Sequence, residues 1–195
     1  DYVTVAFCWD CLAGCDLDVS TVLFNSDCEL IEIISSEQRY STTGFVELSL
    51  DSAASSQFDK EDLAMEWARV RLRTMPPNIT TLAFCVTNHK ASLKLVRWAK
   101  CHVLDEGGVP PMRRLLNVQL SPGPDENGNT ALMFIMTRVG TMWRAIGGES
   151  STFRGNIFQS IKEVRDITEE RVRAADEEPA ASDDLEEAGA ARGDD

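Results

Sequence analysis

Acidic side chains are spaced in one part of the sequence so that they could share a metal ion. Asp16 and Asp18 lie two positions apart in a segment with the pattern of a strand. Alternate residues of a strand point to the same face, so the two carboxylates project together, with Cβ atoms roughly 6 to 7 Å apart. At that separation they repel each other unless a cation lies between them. This pair therefore predicts one half of a metal site.

A second acidic segment could supply the remaining oxygens. Residues 51–62 are small and polar, which predicts a loop. Ca²⁺ takes about six to eight oxygen ligands, whereas zinc prefers His and Cys, so an all-oxygen set favours calcium. The alternative that stays open is that these acids are solvated turn and edge residues. The candidate ligands are Asp16, Asp18, Asp51, Asp59 and Glu61, with Asp62 in reserve.

The cysteines and histidines favour no catalytic site. Cys8 and Cys11 form a C-x-x-C motif, but redox-active versions need a helix N-terminus, and this one follows a predicted strand. The chain has only 2 histidines and no nucleophile elbow, so hydrolytic chemistry lacks its usual base. A zinc set is disfavoured because its two adjacent members would face opposite sides of a strand; it comprises Cys85, His89, Cys101 and His102. We therefore expect a protein that is not an enzyme.

Composition limits the partners of the chain. Its 195 residues suit one ordinary domain with extensions. Of the net charge of −13, residues 176–195 carry −8, from nine acidic residues and one arginine, which leaves −5 for the rest. An acidic body repels nucleic acid and anionic lipid, and no run approaches the roughly 18 apolar residues that a membrane span requires. We expect no nucleic-acid partner and no membrane span.

The start of the sequence and its cysteines bear on the location of the protein. The chain begins at Asp1 and strand-like residues follow directly, so we expect the natural N-terminus, with any targeting signal, to lie upstream. The 6 cysteines lack the density of a disulfide-stapled secreted domain, and several lie inside apolar runs. This usage favours a reducing, cytoplasmic compartment.

Short alternating strands dominate residues 1–158. About nine of them recur at spacings near ten residues, which favours an antiparallel sandwich over a βαβ fold. The clearest local signal is a tight hairpin of residues 130–139 and 142–147, joined at Gly140-Thr141. The expected fold class is all-β: an antiparallel β-sandwich of about nine short strands with a C-terminal amphipathic helix and a disordered acidic tail.

The periodicity changes in the C-terminal part. Apolar residues recur there at three- and four-residue intervals, at Ile157, Ile161, Val164 and Ile167, which predicts an amphipathic helix. Its narrow apolar stripe would dock on the sandwich or pair with a protein partner. The residues after it are too charged to fold. The predicted units are a sandwich domain over residues 1–158, a helix over 159–175 and a disordered acidic tail over 176–195.

These motifs together resemble a known family. Trp9, Gly14 and the Asp16-Leu17-Asp18 string precede an apolar run, and residues 130–148 form a closing hairpin that contains Trp-Arg-Ala-Ile-Gly. The combination is similar to the TerD-like family of tellurium-resistance and stress-response domains. The resemblance covers nearly all of residues 3–158.

The resemblance implies a β-sandwich that binds Ca²⁺ at one end through acidic loops, without a known reaction. Residues 45–51 lie where the family has a strand ending in a Gly-Asp-Asn-like turn, and residues 59–61 lie where it has an Asp-Asp-Glu run. This sequence departs from the pattern at three points. The turn glycine is replaced by Leu50, the Gly-rich loop reads Ser-Ala-Ala-Ser-Ser-Gln, and Lys60 stands at an acidic ligand position. The implied site therefore holds one ion weakly, or none.

Two other functions stay open at this point. A domain that has lost the ion would act as an interaction module through its C-terminal helix and acidic tail. Some relatives of the family have been described as binding cyclic nucleotides, which implies a small-molecule sensor as a further alternative. No residue pattern in this sequence supports the sensor directly.

Overall fold

The chain folds as two antiparallel β-sheets and one helix. The computed structural model describes residues 2–12, 17–49, 66–105, 113–120, 128–147 and 150–177. Its elements are β1 (Val3–Cys11), β2 (Leu17–Phe24), β3 (Leu30–Ile34), β4 (Val46–Leu48), β5 (Glu66–Val70), β6 (Thr81–Asn88), β7 (Val96–Asp105), β8 (Arg113–Leu120), β9 (Thr130–Val139), β10 (Met142–Ile146), β11 (Ser151–Phe153) and α1 (Ile161–Glu177).

Each sheet has a simple order of strands. The first sheet runs β4-β5-β1-β7-β8, and the second runs β10-β9-β6-β2-β3 with β11 added on β9. All the pairings are antiparallel, and the two sheets enclose a common apolar core. The predicted all-β sandwich is confirmed. The described residues form eleven strands, against the predicted number of about nine.

The second sheet is covered on both faces. Every residue of β6 is buried, which fits a central strand packed on two sides. One face meets the first sheet, where the rings of Phe84 and Phe134 stack with centroids 4.6 Å apart. On the other face Val22, Phe24 and Leu132 pack against residues of the C-terminal helix. The protein therefore has three layers: sheet, sheet and helix.

The helix α1 uses its apolar stripe on its own domain. Val164 and, just before the helix, Ile157 are buried against the second sheet, and Ile161 and Ile167 pack beside them. The predicted stripe is confirmed, and the helix spans Ile161–Glu177 where the prediction was 159–175. The described part of this helix is not long and apolar enough to cross a membrane. A protein partner for α1 stays a prediction, which would have to engage its polar side.

Two local predictions differ from the structure. The alternating pattern of residues 93–103 predicts one strand, but Leu93–Leu95 form a 3₁₀ turn before β7. The Ser92 side chain accepts a hydrogen bond from the Lys94 amide, which favours a turn over an extended start. The short strand β11 was not predicted, because three residues are too few to show a period. The predicted tail from residue 178 onward lies outside the described residues.

The two ends of the sandwich are distinct. At the first, which we call the Asp18 end, β2 begins and β6 ends, with Asp18 paired in register with Thr87. At the second, the hairpin end, β9 and β10 are joined by a tight turn whose Gly140 has a φ of +61°. The helix α1 runs between them, since Gln159 lies by Asn88 at the Asp18 end and Asp176 contacts Arg144 of β10. Functional residues can therefore be assigned to one end or the other.

The stacked rings give a test of the shared core. We expect Phe134→Ala to destabilise the protein by about 3–5 kcal/mol, because it empties a fully buried volume and removes the partner of Phe84. The matched control is Met142→Ala, which removes a side chain that is 71% exposed and should change stability by no more than about 0.5 kcal/mol. Urea denaturation measures both. Equal midpoints for the two variants would contradict this packing.

Candidate functional site

Asp18 is the one predicted ligand that lies in the described residues. Asp18 lies an even number of residues from Val22 and Phe24 in β2, so its side chain points to the same face as theirs. That face packs against α1, and the Asp18 carboxylate therefore lies on the helix side of the second sheet. Its Oδ2 is 3.3 Å from Nε2 of His89, and its side chain is 23% exposed. Asp18 is therefore a partly shielded carboxylate at the start of β2, within reach of solvent.

Glu66 brings a second carboxylate to the same end of the sandwich, from the side of the first sheet. Its Oε2 accepts a hydrogen bond of 2.9 Å from the backbone amide of Val19, the residue after Asp18. Glu66 belongs to the first sheet, where it is paired in register with Phe7, and Val19 belongs to the second sheet. Glu66 is only 9% exposed. This contact fixes the first residue of β5 next to the start of β2.

The described residues on either side of the segment that carries Asp51, Asp59 and Glu61 lie beside this contact. Residues 50–65 connect β4 to β5. At their N-terminal side, the Ser49 amide donates to the Trp67 carbonyl at 2.9 Å, and the Trp67 amide donates to Ser49 Oγ at 3.0 Å. At their C-terminal side stands Glu66, bonded to Val19. The described residues that flank this segment thus meet at the Asp18 end.

The remaining predicted ligands lie outside the described residues. The structure describes no group of three or more His, Cys, Asp or Glu side chains that could hold a metal ion, within the ranges given above. The candidates whose placement stays a prediction are Asp16, Asp51, Asp59 and Glu61, together with the reserve residue Asp62.

Two residues at this end were not predicted as part of the oxygen-rich site. Glu66 follows the acidic run closely in sequence. The apolar residues of 63–73 fit both a strand and a helix, so the pattern does not show to which side the Glu66 side chain points. Its partner amide is 47 residues away, so no local signal reports the contact. His89 was considered only as a zinc ligand, and the structure places it on Asp18 instead.

The residues of the alternative zinc set do not come together. Cys101 lies in the core between the sheets, whereas Cys85 lies in the core between the second sheet and α1. Burial raises the pKa of both thiols, which keeps them protonated and poor as metal ligands. His102 is buried on the first sheet, with Nε2 3.8 Å from Sγ of Cys8. These residues act as core side chains.

A small polar cavity adjoins Asp18 on the helix side. It has a volume of about 250 Å³, and Thr87, the cross-strand neighbour of Asp18, lines it. Asn156 and Gln159 form its outer wall and bond each other reciprocally, each amide oxygen accepting from the other residue's backbone N–H. Ligand pockets usually measure about 300–1,000 Å³, so this space suits waters or a very small ligand. It gives little support to a site for a cyclic nucleotide.

Two solved structures share this architecture. A homologue of telluride resistance protein (TerD) from Streptomyces coelicolor superimposes with a TM-score of 0.59 and 18% sequence identity, over 82% of this chain and 94% of its own. A protein of unknown function, SAV2460, superimposes with a TM-score of 0.61 and 16% identity, over 82% of this chain and 93% of its own. The chain has a TerD-like fold.

The likeness to TerD is one of fold. At 16–18% identity a shared architecture carries no site residues or activity from one protein to another. No protein-family model matches the chain, and no curated protein matches its sequence. The resemblance seen in the sequence is therefore confirmed for the TerD-like domain as a structure, and the chemistry of the Asp18 end has to be argued from its own residues.

The wall of the cavity gives a second test. Gly155 has a φ of +87°, and a Cβ there would collide with Oε1 of Gln159. We expect Gly155→Ala to cost about 1–3 kcal/mol, because it combines a strained backbone with loss of the Asn156–Gln159 pair. Gly147→Ala is the matched control, since a Cβ at Gly147 meets nothing within 4 Å. Thermal denaturation compares the two, and equal melting temperatures would argue against this turn.

Proposed function

We propose that this TerD-like domain binds a calcium ion at the Asp18 end and catalyses no reaction. The observation that carries the proposal is the hydrogen bond between Glu66 and the Val19 amide. It holds Glu66, the described residue that follows the acidic 50–65 segment, against Val19, the neighbour of Asp18 in β2. The proposed ligands are Asp18 together with Asp16, Asp51, Asp59 and Glu61.

The charges at this end favour a cation. Asp18 lies at this end with a side chain that is 23% exposed, and the almost fully buried Glu66 carboxylate bonds the backbone amide of the next residue, Val19. Carboxylates gathered at one end of a fold repel one another, and the repulsion is stronger where water is excluded. A divalent cation would relieve that repulsion and would take oxygen ligands, which carboxylates supply. The acids proposed from the neighbouring segment would complete its coordination.

Lys60 sets the expected strength of the site. A lysine at an acidic ligand position removes one oxygen and adds a positive charge, so we propose one weakly held ion. We propose the role of a stress-response binding domain; the structural relative from Streptomyces coelicolor is described as a homologue of a telluride resistance protein. We propose a cytoplasmic location, in keeping with the described cysteines Cys8, Cys28, Cys85 and Cys101, which form no disulfide with one another.

A calcium titration followed by thermal denaturation tests the proposal. A ligand that binds only the folded state stabilises it by about 2.7 kcal/mol at a concentration of 100 times its Kd, so millimolar Ca²⁺ should raise the melting temperature. Asp16→Asn combined with Asp18→Asn should abolish the rise. Asp27→Asn, which removes an exposed carboxylate in the β2–β3 turn at the hairpin end, should leave the rise intact.

Two results would reject the proposal. One is a melting curve that millimolar Ca²⁺ does not change. The other is a rise in melting temperature that is equal in the Asp16→Asn, Asp18→Asn double variant and in Asp27→Asn. An equal rise would mean that Ca²⁺ only screens the net charge of the protein, as any divalent salt does. Mg²⁺ at the same concentration separates the two effects further, because it contributes equal ionic strength but demands a tighter octahedral site.

A further inference from the structure

The small polar cavity beside Asp18 has walls that are fixed before any ligand enters. It lies between the end of β6, the residue before β9 and the turn before α1. Asn129 joins two of these segments, because its Nδ2 donates to the Ala91 carbonyl at 2.7 Å and its Oδ1 accepts from the Gly155 amide at 3.4 Å. Thr130 Oγ1 donates to the Gly155 carbonyl at 2.8 Å. A pocket held in this way loses little conformational entropy when a ligand binds.

Two side-chain amides on the outer wall have hydrogens to donate. The oxygen atoms of Asn156 and Gln159 are both used, since each accepts a 3.0 Å bond from the backbone N–H of the other residue. These bonds fix which end of each amide faces the backbone, so each NH₂ group is left as a donor. The described part of the chain supplies no acceptor to either NH₂ group. Because both residues line the cavity, its outer wall is a source of hydrogen-bond donors.

The inner wall of the cavity offers acceptors. Thr130 gives its hydroxyl proton to the Gly155 carbonyl, so the donor in its 3.0 Å bond with Thr87 is the Thr87 hydroxyl. Oγ1 of Thr87, which lines the cavity, keeps a lone pair for a ligand. His89 also lines it and directs Nε2 at Asp18, so in the neutral ring Nδ1 is an acceptor. The cavity therefore presents donors on one side and acceptors on the other.

The charges around the cavity favour a neutral ligand. Among the described residues that line it, none is a lysine, arginine, aspartate or glutamate. Asp18 lies against His89 and the chain has a net charge of −13, so an anion would be repelled. Hydroxyl groups both donate and accept, which matches the mixed walls. The volume of about 250 Å³ equals that of roughly eight water molecules, so the ligand has to be small.

We propose that this cavity binds a small neutral polyol, a molecule of the size of glycerol or erythritol. The hydroxyl oxygens of the ligand accept from the NH₂ groups of Asn156 and Gln159, and its hydroxyl hydrogens are donated to Thr87 Oγ1 and His89 Nδ1. So small a ligand makes few contacts, which sets the expected dissociation constant at about millimolar. The proposal needs no metal ion.

A titration with erythritol, followed by NMR of the isotope-labelled full chain in EDTA, tests the proposal. We expect the side-chain NH₂ signals of Asn156 and Gln159 to shift and to saturate, because these groups are the proposed donors. Their signals are assigned by their loss in Asn156→Asp and Gln159→Glu. The NH₂ signal of Asn78, an exposed residue before β6 at the hairpin end, should show no saturation.

Two isosteric substitutions remove the donors and keep the turn. In Asn156→Asp with Gln159→Glu, each carboxylate still accepts its backbone N–H, and acids are favourable close to a helix N-terminus. Loss of both NH₂ donors should weaken erythritol by at least about tenfold. The matched control, Asn78→Asp with Gln119→Glu, makes the same chemical changes at exposed positions outside the cavity and should alter the affinity less than about twofold. The backbone amide signal of Gly155 reports binding in every variant, and circular dichroism melts check that each one folds.

Several results would overturn the proposal. Shifts that grow linearly with erythritol at all side-chain amides would show a solvent effect and leave the cavity to water alone. An equal dissociation constant in the donor variant and in its control would place the binding elsewhere. Tighter binding of acetate than of erythritol would assign the cavity to an anion and reject a neutral ligand. Because EDTA removes calcium from every sample, these results leave the calcium proposal to stand or fail separately.

Discussion

The hydrogen bond from the Val19 amide to Glu66 joins the two sheets at the end where function is proposed. The β2–β3 pairing begins only at Thr21, so the amide of Val19 on that side has no strand partner there. Glu66 supplies the missing acceptor from the other sheet, which costs desolvation of a carboxylate but satisfies a buried backbone donor. One side chain therefore satisfies the amide of Val19 beyond the β2–β3 ladder and sets the start of β5 next to β2.

The helix α1 imposes a second constraint. Because it covers the outer face of the second sheet, β6 and β9 are buried on both sides and are apolar almost throughout. The sheet can then expose polar chemistry only at its ends. The Asp18 end carries Asp18, His89 and a polar cavity, and the hairpin end carries Arg138 and Arg144. The distribution of charge follows from the layering, since the faces are already occupied.

Sequence predicted the features that depend on neighbours along the chain. The 130–147 hairpin, the apolar stripe of α1 and the alternating strands rest on local periodicity, and each is found. The sequence also predicted Asp18 as a strand-end carboxylate. It could not predict Glu66, whose partner is 47 residues away, or the approach of His89 to Asp18. Long-range pairing depends on the order of strands, and periodicity carries no information about that order.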